Sequence, residues 1–297
     1  MDHTPDQMRQ HLSTLFESFL TERELLYAAT PNTIKWYRAG WKAFEKYGHP
    51  LTLPLLRSAI VGMRTAGLAP GGVNAYIRSW QSFCNWLADQ GHIQKVKIPT
   101  IPQNRTTKAT VTAEQVRAIL RCRLRESPTL HITLPALQRT HALFSIALDT
   151  AARWGELVSI LRSDIDARSM TVTVRGKTGE RRVSISIEGL RALQRHLKTH
   201  DHERVFCTRS GGKWDYSDSR RDLRKLFELA GVPVDLAEWH SIRRFVARQY
   251  LASGAGIRAV QILLGHQSAA TTEIYLDADT ERKRIPHNQL SPLSRLS

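Results

Sequence analysis

Four short stretches in the second half of the sequence carry side chains that could act on a phosphate group. In EWHSIRRFVARQYLASG, His240 and Arg243 lie three positions apart and therefore share one face of a predicted helix. An arginine fork can bind phosphate oxygens while a histidine beside it carries a proton. The stretch LLGHQSAATTEIYL adds His266 and Tyr275. Alone, either stretch could equally be a solvated helix end or ordinary packing.

The other two stretches contribute an arginine and a lysine. Arg153 follows a long apolar run and opens a predicted amphipathic helix that reaches Leu161. An arginine at the edge of a buried segment is costly without an anionic partner, and Glu156 could supply one in a purely structural pair. Lys177 stands at the tip of a predicted hairpin, where solvated lysines are common. The order Arg, Lys, His, Arg, His, Tyr is a stronger signal than any one stretch.

Hydrophobic periodicity and capping signals predict the elements that must position these side chains. Four helices are predicted between Asp6 and about Gln90. One of them begins with Thr30 as its N-cap and Pro31 in its first position. The clearest helix ends at Gly91. Its apolar stripe consists of Val73, Tyr76, Ile77, Trp80, Phe83 and Leu87.

The rest of the chain is predicted to be helical around one β-hairpin. Segment 96–110 is basic, contains prolines and lacks periodicity, so it predicts a linker that could also cross a nucleic acid backbone. Thr112 and Gln115 then form a capping box. Alternating apolar residues on both sides of GKTGE predict the hairpin. Further helices are predicted at about 188–199, 216–230, 238–253, 256–264 and 268–280.

These elements predict a mainly α fold with a small antiparallel β-hairpin or sheet, divided into two domains. The predicted divisions are an N-terminal helical domain at 1–95, a linker at 96–110, a larger mixed domain at 111–285 and a C-terminal tail at 286–297. The length of 297 residues gives each domain room for its own core.

Composition narrows the class of partner. The chain carries 43 Lys and Arg against 27 Asp and Glu, a net charge of +16. Residues 1–98 hold 11 of the basic and 7 of the acidic residues, so most of the positive excess lies in the second domain. Such an excess favours DNA or RNA, because binding releases condensed counterions. Three separated cysteines indicate a reducing cytoplasm, and no apolar run is long enough for a transmembrane helix.

Together the motifs resemble those of the tyrosine recombinase family, which includes phage integrases and Xer-like recombinases. TAARWGELVSIL stands where the family has T-G-x-R-x-x-E-L, and RGKTGERRVSI is similar to its hairpin lysine segment. HSIRR is similar to H-x-x-R, and LLGHQSAATTEIY to L-G-H-x(8)-Y. The resemblance spans about residues 7–280 and implies a four-helix core-binding domain before a catalytic domain. Two positions depart from it, because Ala151 replaces the usual glycine and Arg244 stands where many members have histidine. Neither position supplies a catalytic group in the family, so the departures bear on substrate preference.

The resemblance implies that Tyr275 attacks a DNA phosphate, which gives a 3′-phosphotyrosyl link and a free 5′-hydroxyl. Arg153 and Arg243 would clamp the non-bridging oxygens in the transition state, and His266 would donate a further hydrogen bond. No metal, ATP or other cofactor is expected, because the ester keeps the bond energy and the arginines balance the charge.

Proton transfer requires two further groups. Lys177 resembles the family's general acid for the leaving 5′-oxygen, and the pKa of a lysine moves readily when it is desolvated beside other cations. His240 is the expected general base toward Tyr275. Glu156 is expected to support the site through the neighbouring arginine rather than to react.

Other basic side chains are candidates for contacts with the DNA backbone. They are Arg105, Lys108, Arg175, Arg181, Arg182, Arg220, Arg221, Arg224, Lys225 and Arg244. His196, His200 and His202 have a formal metal-ligand spacing. Without a supporting motif, a histidine-rich helix C-terminus explains them better than a metal site.

The functional prediction is a site-specific DNA recombinase that acts in integration, excision or transposition in the cytoplasm. Its expected partner is double-stranded DNA with specific sites, bound by a homo-tetramer on paired sites. Whether the free chain is a monomer, and whether DNA-bending or sister recombinase proteins assist, stays open. Two alternatives also stay open, a type IB topoisomerase-like nicking-closing enzyme and a catalytically silent DNA-binding regulator on the same scaffold.

Overall fold

The computed structural model describes residues 5–47, 52–103, 109–176 and 179–265. These residues form eleven α-helices and three short β-strands. The chain divides into two compact units, Met1–Thr106 and Thr107–Ser297. None of the described helices is long and apolar enough to cross a bilayer. The predicted fold class, mainly α with a small antiparallel sheet, is confirmed.

The first unit contains four helices, each with a proline in its first turn. They are α1 (Pro5–Leu25), α2 (Pro31–Tyr47), α3 (Leu53–Thr65) and α4 (Pro70–Asp89). Proline suits this position because the first turn has no intrahelical use for the missing N–H group. As predicted, Thr30 precedes α2, and its hydroxyl accepts a hydrogen bond from the backbone nitrogen of Thr33 at 3.3 Å.

Aromatic side chains fill the core of this unit. Phe16 stacks on Trp41 with ring centroids 4.6 Å apart, and Phe83 meets both rings edge-on. The predicted stripe of α4 faces this core, and Trp80 donates its indole N–H to a backbone carbonyl of α2 at 2.7 Å. Burial raises the pKa of the Cys84 thiol to about 12, so this cysteine acts as inert packing.

The start of the predicted linker, 96–110, is packed rather than free. Asn74 of α4 pairs with the backbone of Ile101 in both directions, at 2.8 and 2.9 Å. The side chain of Ile98 is buried in the aromatic core. The first part of this segment therefore belongs to the packing of the first unit.

The second unit is built around the long apolar helix predicted from the sequence. Its elements are α5 (Ala113–Arg121), α6 (Leu134–Thr150), α7 (Trp154–Leu157), β1 (Ile165–Asp166), β2 (Thr171–Gly176), β3 (Gly179–Ser184), α8 (Ile187–Leu197), α9 (Tyr216–Leu229), α10 (Trp239–Ala252) and α11 (Ile257–Leu264). The predicted capping box of α5 is confirmed, because Thr112 and Gln115 exchange hydrogen bonds. Helix α6 packs against α8, α9 and α10 and carries the core of this unit.

The strands form an antiparallel sheet in the order β1–β2–β3. The predicted hairpin consists of β2 and β3, with Val172 opposite Val183 and Gly176 opposite Gly179. Both valines are buried against the core. Periodicity does not predict β1, because two residues are too few to show an alternation.

The amphipathic helix predicted from Arg153 to Leu161 is wrong, since α7 ends at Leu157 after one turn. Two polar side chains divert the backbone. The Ser159 hydroxyl donates to a carbonyl of α7 at 2.8 Å, and the Asp164 carboxylate accepts from the backbone nitrogen of Leu161 at 2.9 Å. The apolar residues of this segment therefore have the spacing of a helix, although the backbone after Leu157 is not helical.

Candidate active site

Three of the six side chains predicted to act on phosphate lie in the described part of the chain, namely Arg153, His240 and Arg243. The predicted positions outside the described residues are Lys177, His266 and Tyr275, together with the DNA-binding candidates Arg105 and Lys108. The description ends at Gly265, the residue before His266.

Arg243 lies on α10 and is 4% exposed. Its Nη1 donates to the Ala151 carbonyl at 2.5 Å, and its Nη2 donates to the Leu264 carbonyl at 2.6 Å. These carbonyls stand at the C-terminal ends of α6 and α11, where the helix dipole is negative. Because a carbonyl carries only a partial charge, these contacts hold the guanidinium without neutralising it.

Ala151, one of the two departures from the family pattern, lies at this contact. It is fully buried and ends α6 in the left-handed conformation, with φ of 49°. A side chain in this conformation costs about 1–2 kcal/mol, whereas glycine adopts it freely. The backbone geometry explains why glycine is usual here. The departure therefore affects a residue whose carbonyl holds Arg243.

Arg153 is the N-cap residue of α7. Its backbone nitrogen donates to Glu156 Oε2 and its Nη1 to Glu156 Oε1, both at 2.9 Å. A longer contact of 3.4 Å joins Arg153 Nη2 to the Gly265 carbonyl. The side chain remains 36% exposed. Arg153 and Arg243 thus reach the carbonyls of consecutive residues at the end of α11, just before His266.

Glu156 is 2% exposed and accepts from a second arginine, because Arg181 Nη2 lies 2.9 Å from its Oε2. Burial alone raises the pKa of this carboxyl, but hydrogen bonds from Arg181 and Arg153 outweigh burial and hold the pKa below its usual range. The carboxylate is therefore charged at neutral pH. Gly176 also approaches it, so closely that a Cβ atom on Gly176 would come within 2.7 Å of Oε1.

His240 occupies the first turn of α10, where the surrounding protein covers part of its side chain and the rest is open to solvent. Partial burial lowers the pKa of its imidazole, and the charges of Arg243, Arg244 and Arg153 lower it further, while Glu238 raises it. The ring is accordingly neutral at pH 7, the form in which a histidine can accept a proton.

Sequence reasoning missed the acidic group beside this histidine. Glu238 Oε1 pairs with Arg220 at 2.5 Å, and its Oε2 accepts from the Tyr216 hydroxyl at 3.2 Å. The Tyr216 ring in turn meets Trp154, which follows Arg153, edge-on at 5.0 Å. Glu238 stands two residues before His240, so an acidic residue at that spacing is the signal that could have found it.

The DNA-binding candidates of the hairpin differ in their surroundings. Arg175 is bound by Asp164 at 2.5 Å and Glu180 at 2.7 Å. Arg182 is exposed, whereas Arg181 is 20% exposed and turned to Glu156. The hairpin therefore presents some of its arginines to solvent and directs one into the site.

A shallow depression on α9 is lined by Tyr216 and Ser217 and by the three candidate arginines of this helix, Arg220, Arg221 and Arg224. Arg221 pairs with Asp218 at 2.6 Å, and Arg224 is exposed. The remaining candidates donate to carbonyls, Lys225 to His131 at 2.7 Å and Arg244 to Ala109 at 3.4 Å. The pair of Arg221 and Asp218 is exposed to solvent, and exposed ion pairs are weak.

The three histidines with metal-ligand spacing use their rings for local hydrogen bonds. His196 and His200 both bond to the Val205 carbonyl, at 2.9 and 3.2 Å, and His202 bonds to the Arg209 carbonyl at 3.2 Å. Burial lowers the pKa of His196 to about 4. Among the residues that the structure describes, no group of histidine, cysteine or acidic side chains could hold a metal ion.

The chain combines a mainly α, two-unit fold with two arginines that meet at the end of α11, and comparison with known proteins identifies its family. The model of the phage integrase family matches residues 110–282. The tyrosine recombinase XerC of Rhodospirillum centenum is 29% identical over 291 residues, which cover 90% of this chain and 83% of the relative. The chain belongs to the phage integrase family.

Solved structures share the fold. The integrase of transposon Tn1549 in complex with a circular intermediate DNA gives a TM-score of 0.73 at 16% identity, covering 91% of this chain and 98% of that one. A lambda integrase tetramer bound to a Holliday junction gives 0.69 at 17% identity, covering 93% and 81%. The family model and the XerC relative confirm the resemblance to tyrosine recombinases. Membership of the family supports site-specific DNA recombination and implies DNA strand transferase activity.

Proposed function

We propose that this chain cleaves and rejoins specific DNA sites through a 3′-phosphotyrosyl intermediate on Tyr275. The observation that carries the proposal is the convergence of Arg153 and Arg243 on the end of α11. Two guanidinium groups from distant parts of the sequence reach the main chain just before His266. A pair of cations at one point suits the charge that builds on a phosphate during transfer.

In the proposed reaction, Tyr275 attacks the scissile phosphorus and displaces the 5′-oxygen of the next nucleotide. Arg153 and Arg243 bind the non-bridging oxygens, and His266 donates a further hydrogen bond to them. His240 takes the phenolic proton as a neutral base. A 5′-hydroxyl then attacks the phosphotyrosyl ester and releases Tyr275, so both the broken and the formed bonds are phosphate esters.

Lys177 is proposed to give a proton to the leaving 5′-oxygen. In a variant with Lys177→Ala, cleavage of ordinary DNA should slow, because an alkoxide is a poor leaving group. A substrate with a bridging 5′-sulfur should restore much of the rate, since a thiolate leaves without a proton. An equal loss on both substrates would contradict this role.

The reaction is proposed to need neither metal nor ATP, because the arginines stabilise the transition state and the ester keeps the bond energy. Cleavage should therefore continue in the presence of EDTA and without nucleotide. Loss of activity in EDTA that Mg²⁺ restores would contradict this part of the proposal.

The proposed partner is double-stranded DNA carrying paired recombination sites, with four protomers joined on two sites. The lambda integrase tetramer on a Holliday junction supports this assembly by shared fold. The Tn1549 integrase complex likewise makes movement of a mobile element a candidate role. Arg224 and the neighbouring arginines of α9 are proposed to contact the DNA backbone.

The decisive experiment captures the covalent complex from genomic DNA and sequences the attached ends. The recovered sequence is then built into a nicked suicide duplex, on which the wild-type chain should form a covalent adduct. Tyr275→Phe should keep DNA binding and abolish the adduct. An adduct that survives this substitution would overturn the proposed nucleophile.

Two other outcomes would identify the alternatives. Relaxation of supercoiled plasmid without a specific site would indicate a nicking-closing enzyme. Specific binding without any adduct on the suicide duplex would indicate a silent regulator.

A further inference from the structure

Arg181 lies on β3 and is directed into the active-site framework. Its side chain is 20% exposed, and Nη2 donates to Glu156 Oε2 at 2.9 Å. Its guanidinium also lies against the end of α11, where a Cβ atom on Gly265 would come within 3.1 Å of Cζ. The side chain therefore contacts the residues that hold Arg153, in contrast to exposed Arg182 beside it.

Two motif glycines leave room for the pair of Arg181 and Glu156. Gly265 ends α11 with φ of 61° and has the guanidinium of Arg181 where its side chain would be. On the other side of the pair, the carboxylate of Glu156 lies where a side chain of Gly176 would be. The ion pair is thus enclosed by two segments of main chain, one at the end of the hairpin strand β2 and one at the end of α11.

The two oxygens of Glu156 have different partners. Oε1 accepts only the Arg153 side chain among the described residues, whereas Oε2 accepts the Arg153 backbone and Arg181. Arg153 therefore gives one guanidinium nitrogen to the carboxylate, and within the described part of the chain its Nη2 makes only the 3.4 Å contact to Gly265. Arginine and carboxylate otherwise prefer a pair of parallel hydrogen bonds.

We propose that Arg181 is a positioning residue, which occupies Glu156 Oε2 and so prevents the guanidinium of Arg153 from binding both oxygens of the carboxylate. The freed edge of Arg153 then remains available to a phosphate. This inference rests on the proposed function, in which Arg153 clamps the scissile phosphate. Arg181 acts through Glu156 and does not itself touch the substrate.

The charges of the cluster support this role. Arg153 and Arg181 share one buried carboxylate, so the three groups together keep one net positive charge. Removal of Arg181 would leave Arg153 and Glu156 as a neutral pair, with no excess charge to attract a phosphate. Loss of Arg181 would therefore have two effects, a closer pairing of Arg153 with Glu156 and a lower local positive charge. Both effects would weaken the binding of a phosphate by Arg153.

The test compares three variants of the full chain. Arg181→Met removes the charge and the hydrogen bond, Arg181→Lys keeps the charge, and Arg191→Met makes the same change at an exposed position on α8 as a control. Each variant is given two suicide substrates bearing the recovered DNA site. One has an ordinary scissile phosphate, and the other carries methyl in place of one non-bridging oxygen, tested as separate diastereomers.

Arg181→Met should slow adduct formation on ordinary DNA by about 10–10²-fold, as expected for a weakened phosphate clamp. With at least one methylphosphonate diastereomer the ratio of wild-type to variant rate should be much smaller, because the uncharged phosphate depends less on Arg153. Arg181→Lys should show a smaller loss with the same substrate pattern, which keeps the test valid if Arg181→Met fails to fold. DNA affinity should fall by much less than the rate in both, and Arg191→Met should behave as wild type.

Equal losses on the two substrates would overturn the inference, since they would indicate a structural role alone. A fall in DNA affinity that accounts for the slower rate would overturn it in favour of a direct DNA contact. Normal rates in Arg181→Met would also overturn it, while the proposed function would stand. Failure of the wild-type chain to form any adduct would instead overturn the proposed function and this inference with it.

Discussion

The two arginines of the site are held in opposite ways. Arg243 is buried on α10, and main-chain carbonyls at the ends of α6 and α11 accept its hydrogen bonds. Arg153 is 36% exposed at the start of α7, and the carboxylate of Glu156 accepts its hydrogen bonds. One guanidinium is thus fixed by helix ends, and the other by an ion pair that it shares with Arg181.

Both kinds of contact fix the position of a guanidinium group, but they differ in how far they offset its charge. The partial charges of two carbonyl oxygens hold Arg243, whereas the full charge of a carboxylate holds Arg153 and offsets its charge. A phosphate would have to share Arg153 with Glu156. We therefore expect the Arg243 side of the site to be rigid and costly to change, and the Arg153 side to be adjustable.

Arg243→Met should have the largest effect, because it removes a proposed phosphate clamp and leaves two carbonyls without this donor. The free energy of unfolding should fall by about 2–4 kcal/mol. Covalent cleavage should fall by about 10²–10³-fold. Urea denaturation and the rate of adduct formation on the suicide duplex measure the two effects.

Arg248→Met on the same helix is the matched control for that variant. Arg248 donates to the Thr110 hydroxyl at 3.1 Å, a neutral partner near the start of the second unit. Its loss should cost less than about 1.5 kcal/mol and leave cleavage unchanged. If both variants lose the same stability and activity, the buried position of Arg243 is not what sets its effect.

Glu156→Gln should have the next largest effect, because it keeps the shape of the side chain and removes the charge that Arg153 and Arg181 share. Stability should fall by about 1–3 kcal/mol at neutral pH. The folded pKa of Glu156 is lowered, so its charge stabilises the fold above the unfolded pKa of about 4.3. That contribution is lost as the pH falls through the folded value.

Urea denaturation at neutral and at acidic pH checks this prediction. The difference in stability between wild type and Glu156→Gln should be full near about pH 7 and should shrink below about pH 4. Glu188→Gln, an exposed change on α8, should show a much smaller difference at either pH. A difference that stays constant over this range would mean that Glu156 is not charged in the folded chain.

Sequence patterns within a few residues predicted the structural features that such short segments determine, and one contact of the site, between Arg153 and Glu156, is of this kind. The capping box of α5, the apolar stripe of α4 and the hairpin all depend on residues within a few positions of each other. Glu156 could be predicted as a partner of Arg153 for the same reason, since it lies three residues away. A short helix turn is enough to bring such a pair together.

Contacts between distant segments could not be predicted in this way. Arg181 reaches Glu156 from 25 positions away, and Glu238 receives a hydrogen bond from Tyr216 on the preceding helix. In the sequence Arg181 and Glu238 look like surface positions, because neither interrupts an apolar pattern. The left-handed conformation of Ala151 is equally invisible, since alanine is otherwise the best helix former.

Glu238→Gln should have a smaller effect, seen in the pH dependence of cleavage rather than in its maximal rate. Partial burial lowers the pKa of His240, the charges of Arg243, Arg244 and Arg153 lower it further, and Glu238 opposes them. Removal of that negative charge should lower the pKa of His240 further, so the neutral base persists to lower pH. The acidic limb of the cleavage profile should therefore move to lower pH.

The rate of adduct formation measured across the pH range, with substrate saturating, checks this direction. Glu228→Gln, an exposed change on α9, is the control for loss of one negative charge and should leave the limb in place. A limb that moves to higher pH, or not at all, would show that His240 is not the group whose protonation limits cleavage.

Ala151→Gly should have the smallest effect, and it tests the main-chain support of Arg243. Glycine relieves about 1–2 kcal/mol of strain at φ of 49°. It also removes a buried methyl group and loosens the unfolded chain, which together cost about 1–2 kcal/mol.

Ala152→Gly has the same two costs and no positive φ to relieve, because Ala152 is buried in an ordinary conformation. The variant at 152 should therefore be less stable than the variant at 151 by about 1–2 kcal/mol in thermal denaturation. If the two variants melt alike, the left-handed alanine is not strained, and the glycine usual in the family must serve a purpose other than backbone freedom.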